Sequence, residues 1–146
     1  MSKKILWIDD DYYAIQGLFR PLEKGGGYIV ETAISALDGF NKAQKWKNYD
    51  LIVVDLILPI SEQQEKIPDV VSGWEDEGKF EHVGIGLVKW LLLDMKVKCP
   101  VVILSVIPNP ITAYKLDNIG LTGYIRKSGL LPTVLKEEIY SMLGIK

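Results

Sequence analysis

The chain predicts a doubly wound α/β fold, five parallel strands in one sheet with helices on both faces. Three observations point there. Short apolar runs alternate with helical patterns along all 146 residues, the order that builds strand-helix-strand crossovers. The runs are apolar throughout, as strands covered on both faces are. Chemistry-bearing side chains follow directly after those runs, where α/β sheets bind their ligands.

Ile5-Leu6-Trp7-Ile8 is the first strand. A helical pattern follows, with Ile15, Leu18, Phe19 and Leu22 on one face. Gly25-Gly26-Gly27 stops it, because glycine readily takes the left-handed conformation that ends helices. Tyr28-Ile29-Val30 restarts extended structure, and a second helix over about 35–46 carries Leu37, Phe40 and Ala43 inward. Leu51-Ile52-Val53-Val54 is the third strand. A helix over about 84–96 places Leu87, Val88, Leu91, Leu92 and Met95 on its buried stripe. Val101-Val102-Ile103-Leu104 is the fourth strand, followed by a short helix over about 111–118. Thr122-Gly123-Tyr124-Ile125 is the fifth, and Leu131, Val134, Leu135, Ile139 and Met142 mark the last helix. Crossovers between parallel strands are nearly always right-handed, which leaves few topologies.

The chain reads as one domain over 1–146 without internal repeats, interrupted by a long insert at about 61–83. Connections in such folds usually run about 2–6 residues. The insert is polar and turn-rich, with Pro68, Gly73 and Gly78. Its Glu62, Glu65, Asp69, Glu75, Asp76, Glu77 and Glu81 outnumber Lys66 and Lys79. Val70, Val71, Trp74 and Phe80 predict that it packs partly onto the domain, as a functional surface beside the chemistry-bearing edge rather than as core. Of the other tryptophans, Trp46 is expected in partial core packing, whereas Trp74 is the best candidate for a partner anchor. The single histidine, His82, is expected on the surface.

Composition excludes several function classes. A formal net charge of −2 with scattered Lys and Arg lacks the basic stripe of a nucleic-acid binder. The lone cysteine, Cys99, forms no intrachain disulfide, which fits a reducing cytosol. The apolar run after Met1 is too short for a signal-peptide core, and no run reaches the roughly 18 apolar residues of a spanning helix. The expected location is cytoplasmic, with no membrane and no direct nucleic-acid partner.

Strand one ends in Asp9-Asp10-Asp11, strand three in Asp55, strand four in Ser105, and strand five leads to Lys127. Singly, each has an ordinary explanation. Acids before a helix often cap its free amides, and Asp11 suits that role. A lone Asp or Ser after a strand is commonly a turn or cap residue. Jointly, they bring carboxylates, a hydroxyl and an ammonium to one sheet edge. Clustered carboxylates repel unless a cation is present, and Mg²⁺ is a hard cation that takes oxygen ligands. An Asp beside such an ion can attack phosphorus, while a lysine ammonium stabilises the transferring group.

Four segments resemble those of bacterial response-regulator receiver domains, the CheY-like family. Ile5-Leu6-Trp7-Ile8-Asp9-Asp10-Asp11 is similar to their opening. Val53-Val54-Asp55-Leu56-Ile57-Leu58-Pro59 resembles their phosphorylation motif. Val102-Ile103-Leu104-Ser105 resembles the strand ending in the switch hydroxyl, and Gly123-Tyr124-Ile125-Arg126-Lys127 the segment with the switch aromatic and the lysine. The resemblance spans almost the whole chain apart from the insert. It implies a flavodoxin-like strand order 2-1-3-4-5 and a phosphorylation switch in a two-component system. Asp9, Asp10, Asp55 and the carbonyl of Ile57 would hold Mg²⁺, Asp10 most directly. Asp55 would accept the phosphoryl group, Lys127 would contact its oxygens, and Ser105 and Tyr124 would form the switch pair. Such domains are self-phosphorylating phosphoacceptors rather than conventional enzymes. The implied partners are a sensor histidine kinase or phosphotransfer protein, and a second copy through the helix at about 111–118, the fifth strand and the last helix.

Three departures stand out. Ser128 follows Lys127 where the family usually has a cis-proline, and the Lys127-Ser128 peptide is expected to be trans. Val106 follows Ser105 where a smaller residue is usual. The insert lengthens the connection after Pro59. These keep a phosphorylation-independent interaction module as one alternative. A Mg²⁺-dependent phosphohydrolase is the other, although Ile57 stands where such enzymes carry an acid/base aspartate.

Overall fold

The structure is a computed structural model that describes residues 3–61, 66–74 and 81–144. Strands β1 (Lys3–Ile8), β2 (Tyr28–Ala33), β3 (Leu51–Val54), β4 (Val101–Ser105) and β5 (Gly123–Arg126) form one sheet. All neighbours are parallel, in the order β2-β1-β3-β4-β5. The helices are α1 (Tyr12–Lys24), α2 (Ala36–Ala43), α3 (Asp69–Ser72), α4 (Glu81–Lys89), α5 (Pro110–Ala113) and α6 (Pro132–Met142). The doubly wound α/β class and the strand order are those expected.

Alternate residues of a strand point to opposite faces, so each apolar run supplies two cores. Leu6, Ile8, Ile52, Val54 and Ile103 pack with Ala36, Leu87 and Leu91 of the α2–α4 side. Ile5, Trp7, Val53, Val102 and Leu104 pack with Ile15, Phe19, Leu135 and Ile139 of α1 and α6. Full burial of each Leu or Ile contributes about 1.5–3 kcal/mol, so the central strands anchor the fold. Asp11 caps α1, its carboxylate accepting from the Ala14 N–H at 3.2 Å. Ser35 caps α2 through the Asp38 N–H at 3.0 Å. Among the described residues, no helix is long and apolar enough to cross a membrane.

Several elements differ from expectation. The second helix stops at Ala43, and a separate tight turn spans Trp46–Asn48. The expected helix over 84–96 starts earlier, at Glu81, and opens into a wider π turn over Trp90–Asp94, closed by the Met95 N–H bonding the Trp90 carbonyl at 2.8 Å. The expected helix over 111–118 is a single turn, α5. Asn109, Lys115 and Asn118 around it take left-handed backbone conformations, which cannot continue a right-handed helix. Val134 is 39% exposed rather than buried. The Lys127-Ser128 peptide, by contrast, is trans as expected.

The insert departs most. Its described portion is not merely surface: Val71 on α3 is fully buried, and Trp74 packs against Phe40 and Trp90. Trp74 is thus engaged by its own domain, and Trp46 packs against the same core. Val70 is exposed. Glu81 to Val83 belong to α4 rather than to a loop. The expectations for Phe80 and for the side chain of His82 fall outside the described residues.

Candidate functional site

Register assembles the site. Ile8 lies beside Val54, so the next residues, Asp9 and Asp55, leave the two central strands side by side. Backbone bonds extend the ladder past the strand ends: the Asp9 N–H to the Ala33 carbonyl, Asp55 to Ile8, and Lys127 to Ser105, each at 2.9 Å. Counting in twos from Trp7, Val53 and Ile125 puts Asp9, Asp55 and Lys127 on the α1–α6 face together. Three distant stretches of sequence therefore converge on one spot.

The Lys127 Nζ lies 2.5 Å from Asp9 Oδ2 and 3.3 Å from Asp55 Oδ2. Asp10 is exposed beside them, and oxygens of Asp9, Asp10 and Asp55 all lie within 4.8 Å of one another. Asp9 is fully buried and Asp55 is 6% exposed. Burial pushes the Asp9 carboxyl up to about 6, although bonds from Lys127 and the Asp11 N–H pull the other way. Asp55 is also raised by burial, against the charge of Lys127, the Ile57 N–H and the Ser105 hydroxyl. Burial would lower the Lys127 ammonium, but the bond to Asp9 and the charge of Asp55 outweigh it and leave it raised. One ammonium thus pairs with the two desolvated carboxylates of a cluster of three. That donor set is all oxygen and short of positive charge, and it fits a hard divalent cation such as Mg²⁺.

Ile57 is at the rim, its N–H donating to Asp55 Oδ1 at 3.3 Å. Ser105 is fully buried, and its Oγ accepts from the Ile107 N–H at 3.4 Å. The Tyr124 hydroxyl donates to the Ile107 carbonyl at 2.7 Å. Both side chains expected to form a pair hold the same residue, Ile107, one through its N–H and the other through its carbonyl. Val106 is 47% exposed next to them.

Sequence reasoning missed the supports of this edge. The Gly84 N–H bonds the Leu56 carbonyl at 3.0 Å, directly after Asp55. The carbonyls of Pro59 and Ile60 accept from Ala36 and Leu37 at 2.9 and 2.8 Å, at the start of α2. A glycine inside a helical pattern is a readable signal of close approach, and Gly84 and Gly86 carry it. Nothing in the sequence says which surfaces approach them.

No family model and no curated protein matches the chain. Solved structures do. A CheY-like receiver domain protein from Methanospirillum hungatei is 22% identical, with a TM-score of 0.70 over 99% of this chain and 95% of that one. The chemotaxis response regulator CheY4 of Vibrio cholerae is 23% identical, with a TM-score of 0.68 over 97% and 99%. A receiver domain protein from Clostridium thermocellum is 22% identical, with a TM-score of 0.65 over 97% and 94%. At such identities the likeness is one of fold, extending over nearly the full length of each chain.

Proposed function

We propose that this chain, whose fold is that of CheY-like response-regulator receiver domains, is a phosphorylation switch with Asp55 as phosphoryl acceptor. The observation that carries the reading is the meeting of Asp9, Asp10 and Asp55 with Lys127 at one sheet edge. Asp9, Asp10, Asp55 and the Ile57 carbonyl would hold Mg²⁺, which when bound supplies positive charge to the phosphoryl oxygens. An Asp55 carboxylate oxygen attacks the phosphorus of a phosphohistidine on a kinase or phosphotransfer protein. The new O–P bond forms as the P–N bond breaks, and its electron pair stays on the imidazole, which then takes up a proton. Lys127 is already within reach of Asp55, so its ammonium needs little movement to meet the charge spread over the transferring group. Incubation with Mg²⁺ and acetyl phosphate, which releases acetate by breaking a P–O bond, should add one phosphoryl group by intact mass. Unchanged mass, with the protein folded and Mg²⁺ saturating, overturns the reading.

Mg²⁺ binding has its own expected outcome. Asp10 is the only exposed carboxylate of the three, and it is free of the lysine that neutralises the others. Asp10→Ala should weaken Mg²⁺ at least tenfold, a loss of about 1.4 kcal/mol, in a titration followed by amide shifts. An unaltered response places the cation elsewhere.

The switch follows from Ile107. A phosphoryl group on Asp55 would draw the Ser105 hydroxyl away from the Ile107 N–H, loosening the segment that the Tyr124 hydroxyl holds by its carbonyl. Such a local charge event biases a two-state element. Hydrogen exchange should then change over α5, β5 and α6 on phosphorylation, the face that would meet a second copy or another partner. Changes confined to α2 and β2 would refute this.

A further inference from the structure

We infer that Trp74, contributed by the insert, is a positioning residue for the Asp55–Ile57 edge, acting as a brace packed against the contact between α2 and the end of α4. The inference rests on the phosphoacceptor reading and extends it to residues outside the site. Three observations support it. The Trp74 ring is 6.3 Å from Phe40 on α2 and 6.4 Å from Trp90 after α4, in tilted or edge-on contact. Phe40 and Trp90 themselves meet at 4.5 Å. A methyl group placed on Gly86 would lie 2.3 Å from the Trp74 ring, so the absence of a side chain there makes the seat.

The same two helices hold the chain leaving Asp55. From α4, the Gly84 N–H grips the Leu56 carbonyl at 3.0 Å, at a contact so close that a methyl on Gly84 would reach the Leu56 Cα at 2.2 Å. From α2, Ala36 and Leu37 grip the carbonyls of Pro59 and Ile60. Ile57 lies between these anchors, and its N–H bonds the Asp55 carboxylate. Removing the brace lets Phe40, Trp90 and the helices behind them shift toward the vacated space, because packed interiors collapse partly around a void. The anchors move with them, and so does the backbone of Ile57. An ångström of misplacement from a distant substitution can cost roughly a hundredfold in rate.

The test compares wild type, Trp74→Ala, Trp74→Phe and Gly86→Ala well below their unfolding midpoints. Three quantities are read: phosphoryl uptake from acetyl phosphate, Mg²⁺ affinity from amide shifts, and hydrogen exchange at the Ile57 amide relative to Val30 on β2. Trp74→Ala should slow uptake about tenfold or more, weaken Mg²⁺ several-fold, and speed exchange at Ile57 without speeding it at Val30. Trp74→Phe should restore most of each. Gly86→Ala should mimic the loss, since it dislodges the ring while favouring the helix, and it decides the matter should Trp74→Ala not fold. A merely structural tryptophan would lower the midpoint but leave Mg²⁺ affinity and relative exchange at Ile57 unmoved, and that result overturns the inference. If wild type takes up no phosphoryl group, the functional reading fails separately, and exchange at Ile57 still decides this one.

Discussion

Asp55→Asn should abolish phosphoryl uptake from acetyl phosphate, with no mass adduct under conditions that label the wild type. The amide is nearly isosteric, so the fold should persist, but its oxygen carries no charge and is a poor nucleophile. Asp9 and Asp10 should not substitute. Asp9 is fully buried against Lys127 at 2.5 Å, and Asp10 lies at the exposed margin of the cluster. The expected loss is to background, beyond the roughly 10²–10³ that follows loss of one electrostatic donor. Replacing a charged, desolvated carboxylate also removes repulsion from Asp9, so the metal-free variant should be no less stable than wild type. Intact mass and a thermal melt check both halves. An adduct of undiminished yield in Asp55→Asn would move the acceptor to another residue.

Gly84→Ala should be the most damaging single methyl among the positions described. Alanine ordinarily favours a helix over glycine by about 1 kcal/mol, so propensity alone argues for stabilisation. Packing decides against it. The added carbon would lie 2.2 Å from the Leu56 Cα and 2.4 Å from its carbonyl oxygen, backbone atoms that cannot rotate away. Overpacking typically costs about 1–3 kcal/mol, occasionally more, and contact with backbone belongs at the upper end. A net loss of about 3 kcal/mol lowers the melting temperature by roughly 6–12 °C in a domain of this size. Because Leu56 follows Asp55, phosphoryl uptake should fall with it, also at temperatures where the variant is folded. Gly17→Ala is the control: nothing lies within 4 Å of its added carbon, so it should match or exceed wild-type stability. A Gly84→Ala protein with unchanged melting and uptake would mean that α4 does not press on the edge as described.

Much of the fold was legible because strand and helix periods are local. The apolar run from Leu51 to Val54 needs no knowledge of its neighbours to be read as a buried strand, and its all-apolar character already implies cover on both faces. The helix ends were less legible. Propensity does not reveal that the chain after Ala113 turns left-handed at Lys115 and Asn118, nor that the turn at Trp90 widens, because those outcomes depend on the surfaces the side chains meet. The site residues were legible as a set of strand ends, each ambiguous alone.

The sequence by itself determined the alternation of strands and helices, the placing of Asp9, Asp55, Ser105 and Lys127 at strand ends, and the cap at Asp11. Only the tertiary structure decided that Ser105 and Tyr124 share Ile107, that Trp74 turns inward instead of outward, and that Gly84 and Gly86 are contact points. The physical reason is range. Strand period and capping act over two to four residues and are written in the order of the chain. A 2.2 Å approach between residues 56 and 84, or an aromatic cluster drawn from residues 40, 74 and 90, exists only once the sheet has brought those segments together.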